Sequence, residues 1–297
     1  MILDHATVAE SCCPVSALKL RREIPQFHAT LRCPGAASLL TQPELIGKIR
    51  GALGNVLMES ASPQVQAGGA CPFEPPCAYD LLWQPRGNIR PGFPIPAPYV
   101  IAVDSHGPDL QVTLRLFGKA GDYLGEVSDA LIRALRRGLS GPKTIKLEVA
   151  DRQFEAVTGV ADPALTHAVQ LRFLTPLLLR HDSAAHIEPG AFLRSLIHRV
   201  DGMARWCNTS LDLDFPALLE ATKAVEGVWT EVDTQEWLRH ALRQGRKIPM
   251  QGAVGTLSLR GDLAPFSDLI ALGTVIHAGS RTAWGQGRYV IGRESRR

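Results

Sequence analysis

The sequence His277-Ala-Gly-Ser-Arg-Thr-Ala-Trp-Gly-Gln-Gly-Arg-Tyr289 lies between a predicted helix, Pro265–His277, and a predicted last strand, Gly287–Ile291. Its three glycines allow positive φ angles and let a ligand approach the backbone without meeting a Cβ atom. Successive N–H groups in such a turn can form a nest that binds an anion. A dinucleotide-binding loop instead connects a first strand to the next helix. The pattern is thus consistent with a phosphate-binding loop or with a structural turn.

Three side chains of the same loop suit a nucleic-acid ligand. Arg281 and Arg288 can pair with phosphate, and Trp284 offers a face on which a base can stack. The region Glu236–Arg297 holds ten basic and four acidic residues, a net charge of +6, whereas the whole chain carries +3. Local positive charge of this kind is typical of a polyanion-binding surface, and also of solvated surfaces that aid solubility.

Helical and strand-like patterns alternate before this loop in two successive sets. The later set predicts the elements His167–Leu179 (strand), Pro189–Cys207 and Phe215–Val225 (helices), and Val228–Val232 and Gly252–Leu259 (strands). The earlier set has strand-like residues around Pro25, a helix from Pro43, strands Ala78–Trp83, Tyr99–Val103 and Gln111–Phe117, a helix Tyr123–Leu139, and strands Lys143–Ala150 and Phe154–Val160. This order predicts an α+β fold of two tandem domains. We place them at 1–163, with a Pro/Gly-rich insertion at 62–98, and at 164–297.

The composition is that of a folded protein without export signals. Hydrophobic residues make up 45% and charged residues 21% of the 297 positions. The first residues show no cationic segment followed by an apolar one, and no apolar run approaches the roughly 18–20 residues that span a bilayer. Six scattered cysteines do not resemble a disulfide framework. We therefore expect a cytoplasmic protein.

Two further basic clusters are candidates for nucleic-acid contact. Winding Pro189–Cys207 as a helix places Arg194, His198, Asp201 and Arg205 opposite its apolar face, where they contact a ligand or form a solvated, salt-bridged surface. The segment 236–247 holds the second cluster, Arg239, Arg243, Arg246 and Lys247. If this segment is helical, its arginines share one face; the alternative is a solvated loop.

Metal and cofactor signals are weak. Cys71 and Cys77 could supply half of a zinc site, but no other pair is spaced to complete it, so we favour metal-free thiols. The histidines form no metallohydrolase pattern, and the sequence has neither a nucleophile elbow nor a Walker loop. We expect no metal and no cofactor.

Together these segments resemble the CRISPR-associated repeat-processing endoribonucleases of the RAMP (repeat-associated mysterious protein) superfamily. The loop His277–Arg288 is similar to the glycine-rich loop before that superfamily's last strand. Other segments also resemble the family's pattern: Arg50-Gly-Ala-Leu-Gly54, Cys71–Trp83, Leu114-Arg-Leu-Phe-Gly118 and Gln251-Gly-Ala-Val-Gly-Thr-Leu257.

The resemblance implies two ferredoxin-like (RRM-like) domains that hold RNA on basic surfaces. It implies a role in antiviral defence, in which the protein binds the repeat hairpin of CRISPR precursor RNA and cuts it without a metal to release guide RNAs. A ribose 2′-OH would attack the adjacent phosphate, which requires in-line positioning, proton transfer and nearby cations. The implied partners are precursor RNA, mature guide RNA and other CRISPR effector subunits, with no membrane.

The chain departs from the family pattern at one position. Many relatives carry a histidine where the first helix begins, and this chain has Thr41-Gln42-Pro43 there. Our catalytic candidate is therefore His28, although it could equally be a packed strand residue. Arg22, Arg32 and His277 are further catalytic candidates. The RNA-binding candidates are Arg21, Arg194, His198, Arg205, Arg239, Arg243, Arg246, Lys247, Gly279, Arg281, Trp284, Gly285, Gly287 and Arg288.

Two other functions stay open at this point. One is a RAMP-type guide-RNA-binding subunit of an interference complex that does not cut. The other is an unrelated globular interaction module whose glycine loop is only a turn.

Overall fold

The computed structural model describes residues 13–140, 144–179, 187–241 and 246–292. Its strands are β1 (Pro14–Val15), β2 (Pro25–Cys33), β3 (Asn88–Arg90), β4 (Phe93–Pro94), β5 (Tyr99–His106), β6 (Asp109–Phe117), β7 (Asp151–Thr158), β8 (Ala168–Leu177), β9 (Ser210–Leu211), β10 (Glu226–Ala241), β11 (Arg246–Arg260) and β12 (Tyr289–Gly292). Its helices are α1 (Ala17–Glu23), α2 (Leu45–Glu59), α3 (Pro63–Gln66), α4 (Ala78–Trp83), α5 (Leu124–Arg137), α6 (Pro189–Trp206), α7 (Phe215–Ala221) and α8 (Ser267–Ile276). None of these helices is long and apolar enough to cross a membrane.

The first compact unit runs from Pro25 to Val157. Its main elements follow the order β2, α2, β5, β6, α5 and β7, and its sheet has the strand order β5-β6-β2-β7. Strand β6 is antiparallel to both β5 and β2. This order and topology are ferredoxin-like, as the family resemblance implies.

Alternating side chains divide this sheet into an apolar and a polar face. Along β6 the buried positions are Leu110, Val112, Leu114 and Leu116, which are all 0% exposed. They contribute to a core with helices α2 and α5, since successive strand residues point to opposite faces. The intervening residues of β6, Gln111, Thr113 and Arg115, are half-buried and lie on the polar face.

The second unit repeats the arrangement, from Thr158 onward together with the segment that ends at Ile24. Its sheet has the order β10-β11-β8-β12, and every neighbouring pair is antiparallel. Phe173 of β8 is central to the core, where its ring centroid lies 5.3 Å from that of Tyr289 and 5.9 Å from that of Phe192. Aromatic packing thus joins β8, β12 and α6.

The N-terminal segment belongs to this second unit. Strand β1 pairs in parallel with β9, and α1 contacts α8. The buried guanidinium of Arg21 forms ion pairs with Asp162 and Asp268 and donates to Val160 O. We expected a boundary at 163 and an N-terminal domain that begins at residue 1. The structure instead divides the chain between Val157 and Thr158 and groups this N-terminal segment with the later half.

Three predicted elements differ from the structure. The predicted strand Ala78–Trp83 is helix α4, because its Asp80 carboxylate accepts from Cys71 N–H (3.1 Å) and buried packing overrides the strand propensity of its aromatic residues. In place of a strand at Lys143–Ala150, residues 144–150 contribute one isolated bridge, between Ile145 and Leu139. Helix α1 occupies part of a segment that we expected to be strand-like.

Candidate functional site

The loop between α8 and β12 folds back onto the end of strand β8. The N–H of Ser280 donates to Leu178 O (2.8 Å), and the N–H of Gly287 donates to Pro176 O (2.9 Å). The hydroxyl of Ser280 also donates to Leu178 O (3.1 Å). These bonds tie both ends of the loop to one strand.

The glycines make this close approach possible. Gly279, Gly285 and Gly287 have φ angles of 80°, 74° and 71°, which side chains disfavour. A Cβ atom at Gly279 would lie 2.5 Å from Leu178 O, and one at Gly287 would overlap Ala278 O. The glycines therefore serve contact with the protein's own backbone.

The N–H groups in the second half of the loop bind acceptors within the protein. The bonds are Trp284 N–H to Arg281 O (2.8 Å), Gly285 N–H to Thr282 O (2.9 Å), Gln286 N–H to Arg281 O (3.4 Å) and Gly287 N–H to Pro176 O (2.9 Å). The expected nest of successive free N–H groups is therefore not present over 284–287. An anion at this part of the loop has to be held by side chains.

Thr175 on β8 holds the loop through its side chain. Its hydroxyl donates to Gly285 O (2.7 Å) and accepts from Arg288 N–H (2.9 Å). A single side chain thus satisfies one acceptor and one donor of the glycine loop. This role could not be predicted from local sequence, because Thr175 lies 110 residues before Gly285.

His277 lies in the core at the end of α8. It is 1% exposed and has a φ angle of 62°. Beside it, the buried guanidinium of Arg199 donates from Nη2 (3.1 Å) and Nε (3.3 Å) to Ile276 O, the last carbonyl of α8. Burial lowers the pKa of Arg199 to about 9. A cation suits the negative end of a helix. Because His277 is enclosed here, the expectation that it transfers a substrate proton does not fit its position.

A cleft of about 520 Å³ opens beside the glycine loop. Ser280 and Arg281 line it from the loop, Leu178 and Leu179 from the end of β8, and the run 248–251 from β11. Arg281 is exposed and left-handed (φ 62°, ψ 26°), whereas Trp284 and Arg288 are half-buried. The cleft thus has a mostly polar surface that includes apolar side chains and an exposed cation, a composition that can accommodate a base and its phosphate.

The described residues of the basic segment 236–247, which are 236–241 and 246–247, lie in the antiparallel strands β10 and β11 of a β-hairpin and not in a helix. Strands β10 and β11 pair until Ala241 lies opposite Arg246, and the backbone of Arg239 lies opposite Ile248. The expected helical face is therefore wrong, because strand pairing fixes this backbone as extended. Arg243 lies outside the described residues. Lys247 directly precedes the cleft-lining run 248–251, so the basic sequence leads to the cleft.

The polar stripe of α6 is not an open basic surface. Asp201 is buried at 3% exposure, so the expected solvent-facing row of charges is interrupted. Arg194 lies 3.9 Å from a carboxylate oxygen of Glu188, and His198 and Arg205 are half-buried. These contacts favour a structural role for much of this face.

In the first unit, His28 lies on the polar face of the sheet. Its Nε2 accepts a hydrogen bond from Arg115 Nε (2.9 Å), and its Nδ1 lies 3.5 Å from a Glu155 carboxylate oxygen. This geometry places the proton of a neutral ring on Nδ1. Burial, followed by the charge of Arg115, lowers the pKa of His28, while Glu155 opposes this shift. A neutral imidazole can accept a proton at Nε2 only when Arg115 turns away.

The arginines expected near His28 have other positions. Arg32, on the same strand, pairs with Asp109 (3.0 Å). Arg22 is exposed on α1, which belongs to the second unit. Arg21 is 3% exposed and is held by two carboxylates, so the expectation that it contacts RNA does not fit its burial. Sequence analysis did not identify Arg115, because its position opposite His28 depends on how strands β2 and β6 pair.

The two cysteines of the Pro/Gly-rich region contact each other. The N–H of Cys77 donates to Cys71 Sγ (3.2 Å). Among the described residues, no three His, Cys, Asp or Glu side chains come together as a metal-binding cluster. The arrangement therefore offers two sulfur atoms, which is half of a tetrahedral zinc site.

Two family models match successive parts of the chain. Residues 171–289 match the family model of the CRISPR-associated endoribonuclease Cas6, and residues 25–167 match a model described as an N-terminal domain. The match over 171–289 includes β8, the hairpin and the glycine loop. The resemblance to repeat-processing endoribonucleases is thereby confirmed. No curated protein sequence matches the chain.

Solved structures share the fold at low sequence identity. A Cas6 (TTHB231) product complex is 16% identical, with 91% of this chain and 100% of that chain covered and a TM-score of 0.56. A structure of Thermus thermophilus Cas6 (TTHB231) is 14% identical, with coverage of 91% and 99% and a TM-score of 0.51. A Cas6 (TTHA0078) product complex is 14% identical, with coverage of 91% and 100% and a TM-score of 0.52.

Proposed function

We infer that this chain, whose residues 171–289 match the family model of the CRISPR-associated endoribonuclease Cas6, processes CRISPR RNA by binding the repeat hairpin of the precursor and cutting it. The observation that carries this proposal is the family match across the glycine loop and its cleft. The released guide RNA and other CRISPR effector subunits are the partners that this role implies.

The cleft beside the glycine loop is the proposed place of RNA contact. Arg281 is exposed there and can pair with a phosphate, while the apolar residues from β8 and β11 can contact a base. The basic sequence that precedes Ile248 would extend the contact along the backbone of the RNA. Because the loop is tied to β8, its cation is held in place before RNA arrives, which lowers the entropic cost of binding.

The proposed reaction needs no metal. The ribose 2′-OH loses its proton to a base and attacks the adjacent phosphorus, and the 5′-oxygen leaves with a proton. The products are a 2′,3′-cyclic phosphate and a 5′-OH end. Cations near the phosphorane stabilise its charge.

His28 is the proposed proton acceptor. Its lowered pKa keeps the ring neutral at neutral pH, as a base requires. Glu155 can stabilise the imidazolium that forms, in the way that a carboxylate supports the histidine of a catalytic triad. We propose that Arg115 leaves Nε2 when RNA binds and pairs with phosphate, which frees the acceptor. Arg32, on the same strand as His28, remains a further candidate for stabilising charge.

A guide-RNA-binding subunit that does not cut is the second candidate. The hydrogen bond from Arg115 to His28 favours it, because the bond blocks the nitrogen that catalysis would use. Under this alternative the cleft binds RNA as proposed and the first unit has a structural role.

Cleavage of the repeat RNA from the CRISPR array of the same genome tests the proposal. In EDTA the protein should make one cut with 2′,3′-cyclic phosphate and 5′-OH ends. A deoxyribose 5′ to the scissile phosphate should block cutting and leave binding intact, because only the nucleophile is removed. Binding without any cutting supports the second candidate, and activity that disappears on chelation contradicts the mechanism.

A further inference from the structure

The segment Cys71–Cys77 brings together two thiols that the RNA site does not use. The N–H of Cys77 donates to Cys71 Sγ over 3.2 Å. Cys71 is 0% exposed, whereas Cys77 is half-buried. The pair therefore consists of one enclosed sulfur and one accessible sulfur in direct contact.

The surroundings of Cys71 stabilise a negative sulfur. Burial raises the pKa of its thiol, but hydrogen bonds from the N–H groups of Cys77 and Phe73 and from the Ser62 hydroxyl outweigh burial, so the pKa of Cys71 is lowered. Burial and the bond to Cys71 raise the pKa of Cys77. A thiolate next to a protonated thiol is the arrangement from which disulfide exchange proceeds.

Neighbouring contacts hold both ends of the segment. The N–H of Cys71 donates to the Asp80 carboxylate (3.1 Å), which also pairs with Arg86 (2.9 Å). The hydroxyl of Tyr123 donates to the carbonyl of Pro76 (2.7 Å), directly before Cys77. The two sulfurs are thus kept together by contacts that do not involve the sulfurs themselves.

Two other cysteines, Cys33 and Cys207, lack this environment. Burial raises the pKa of Cys33 to about 11 and the pKa of Cys207 to about 12. Both thiols are therefore expected to stay protonated and unreactive at neutral pH. They provide internal controls.

We propose that Cys71 and Cys77 form a thiol–disulfide exchange site for low-molecular-weight disulfides. The Cys71 thiolate takes the proton of the accessible Cys77 thiol, and the Cys77 thiolate attacks one sulfur of R–S–S–R, which forms a mixed disulfide and releases R–S⁻. The Cys71 thiolate then attacks the Cys77 sulfur, and the second R–S⁻ leaves. Before this second attack Cys71 gives its proton to the first R–S⁻, and the second R–S⁻ takes a proton from solvent, so two cysteine sulfurs are oxidised while one disulfide is reduced.

The experiment treats the full chain with oxidised glutathione, blocks the remaining thiols and digests with trypsin. Both cysteines lie in one expected peptide, Gly51–Arg86. In the unmutated protein this peptide should lose two hydrogens and carry no adduct, and a reductant should reverse the change. Cys71→Ser should stop at a glutathione adduct on Cys77. In Cys77→Ser, the enclosed Cys71 should react at least about tenfold more slowly than Cys77 does in Cys71→Ser.

Cys207→Ser is the matched control and should give the unmutated pattern. A stable adduct on Cys77 in the unmutated protein would show that Cys71 does not resolve it, and would overturn the proposal without any variant. Equal modification of Cys71 and Cys77 in the two single variants would overturn the order of attack. None of these measurements involves RNA, so their outcome is independent of the function proposed above.

Discussion

Replacing Thr175 with valine tests whether its hydroxyl holds the glycine loop. Valine has nearly the same shape, but it cannot donate to Gly285 O or accept from Arg288 N–H. Gly285 is buried, so its carbonyl would lose its partner with little access to water. Each buried polar group left unsatisfied costs about 1–3 kcal/mol. Since Thr175 is itself half-buried, we expect the free energy of unfolding to fall by about 2–4 kcal/mol in total.

Urea unfolding followed by tryptophan fluorescence measures this change. Four of the five tryptophans belong to the second unit: Trp206, Trp229, Trp237 and Trp284. Thr175→Ser is the matched control because it keeps the hydroxyl, and it should lose less than about 1 kcal/mol. Repeat-RNA affinity should fall in the valine variant and stay near the unmutated value in the serine variant, because only valine releases the loop that carries Arg281.

One result would refute this reasoning. If Thr175→Val unfolds at the same urea concentration as the unmutated protein and binds repeat RNA equally well, the hydroxyl does not hold the loop. The loop's conformation would then depend on its backbone bonds to β8 alone.

Four further predictions concern the first unit and the basic segment 236–247. Arg115→Met should raise the pKa of His28 toward its usual 6.5, because one of the causes that lower it is removed; NMR titration of the ring measures this, and an unchanged pKa would contradict it. The pKa of His28 in the folded protein lies below 6.5, the usual value for histidine. The free energy of unfolding of the unmutated protein should therefore decrease as pH falls below 6.5, because the unfolded chain takes up this proton more readily than the folded chain. His28→Ala should cut repeat RNA at least ~100-fold more slowly with affinity nearly intact, and a normal rate would make His28 structural. Arg243→Ala should reduce the dependence of log affinity on log salt by about 0.7, the value for one phosphate contact on single-stranded RNA; an identical slope would leave Arg243 as a solvated residue.

Secondary structure could be predicted where the hydrophobic residues of a segment recur with a single spacing, that of a strand or that of a helix. Alternation along Gln111–Phe117 and helical spacing in Tyr123–Leu139 place strand β6 and helix α5 correctly, because each element buries one face against a single core. The repetition of such elements along the chain was enough to predict two tandem α+β units, and the family resemblance implied that they are ferredoxin-like. Local patterns decide these elements.

Prediction failed where long-range contacts decide the structure. The residues of Ala78–Trp83 have strand propensity, but the carboxylate of Asp80 binds Cys71 and Arg86 from within a helix. Arg21 resembles a surface cation in the sequence, but its partners Asp162 and Asp268 lie more than a hundred residues away. No local pattern contains these pairings.

The site shows the same limit. The glycine loop could be identified from its sequence, but the strand that it folds onto could not. His28 could be named as a candidate, although its partners Arg115 and Glu155 depend on the register of three strands. The positions of Arg115 and Glu155 decide whether His28 Nε2 can accept a proton, and these positions depend on how the strands pair.

The two units show why the fold alone does not determine the RNA site. Both have the same strand order, so the connection between second helix and last strand has the same topological place in each. In the first unit it begins at Gly138 and makes a bridge between Leu139 and Ile145. In the second unit it folds onto β8 and places Arg281 at a cleft. Since the scaffold is common to both, the difference in chemistry comes from the loop sequence and from the strand residues, above all Thr175, that hold it.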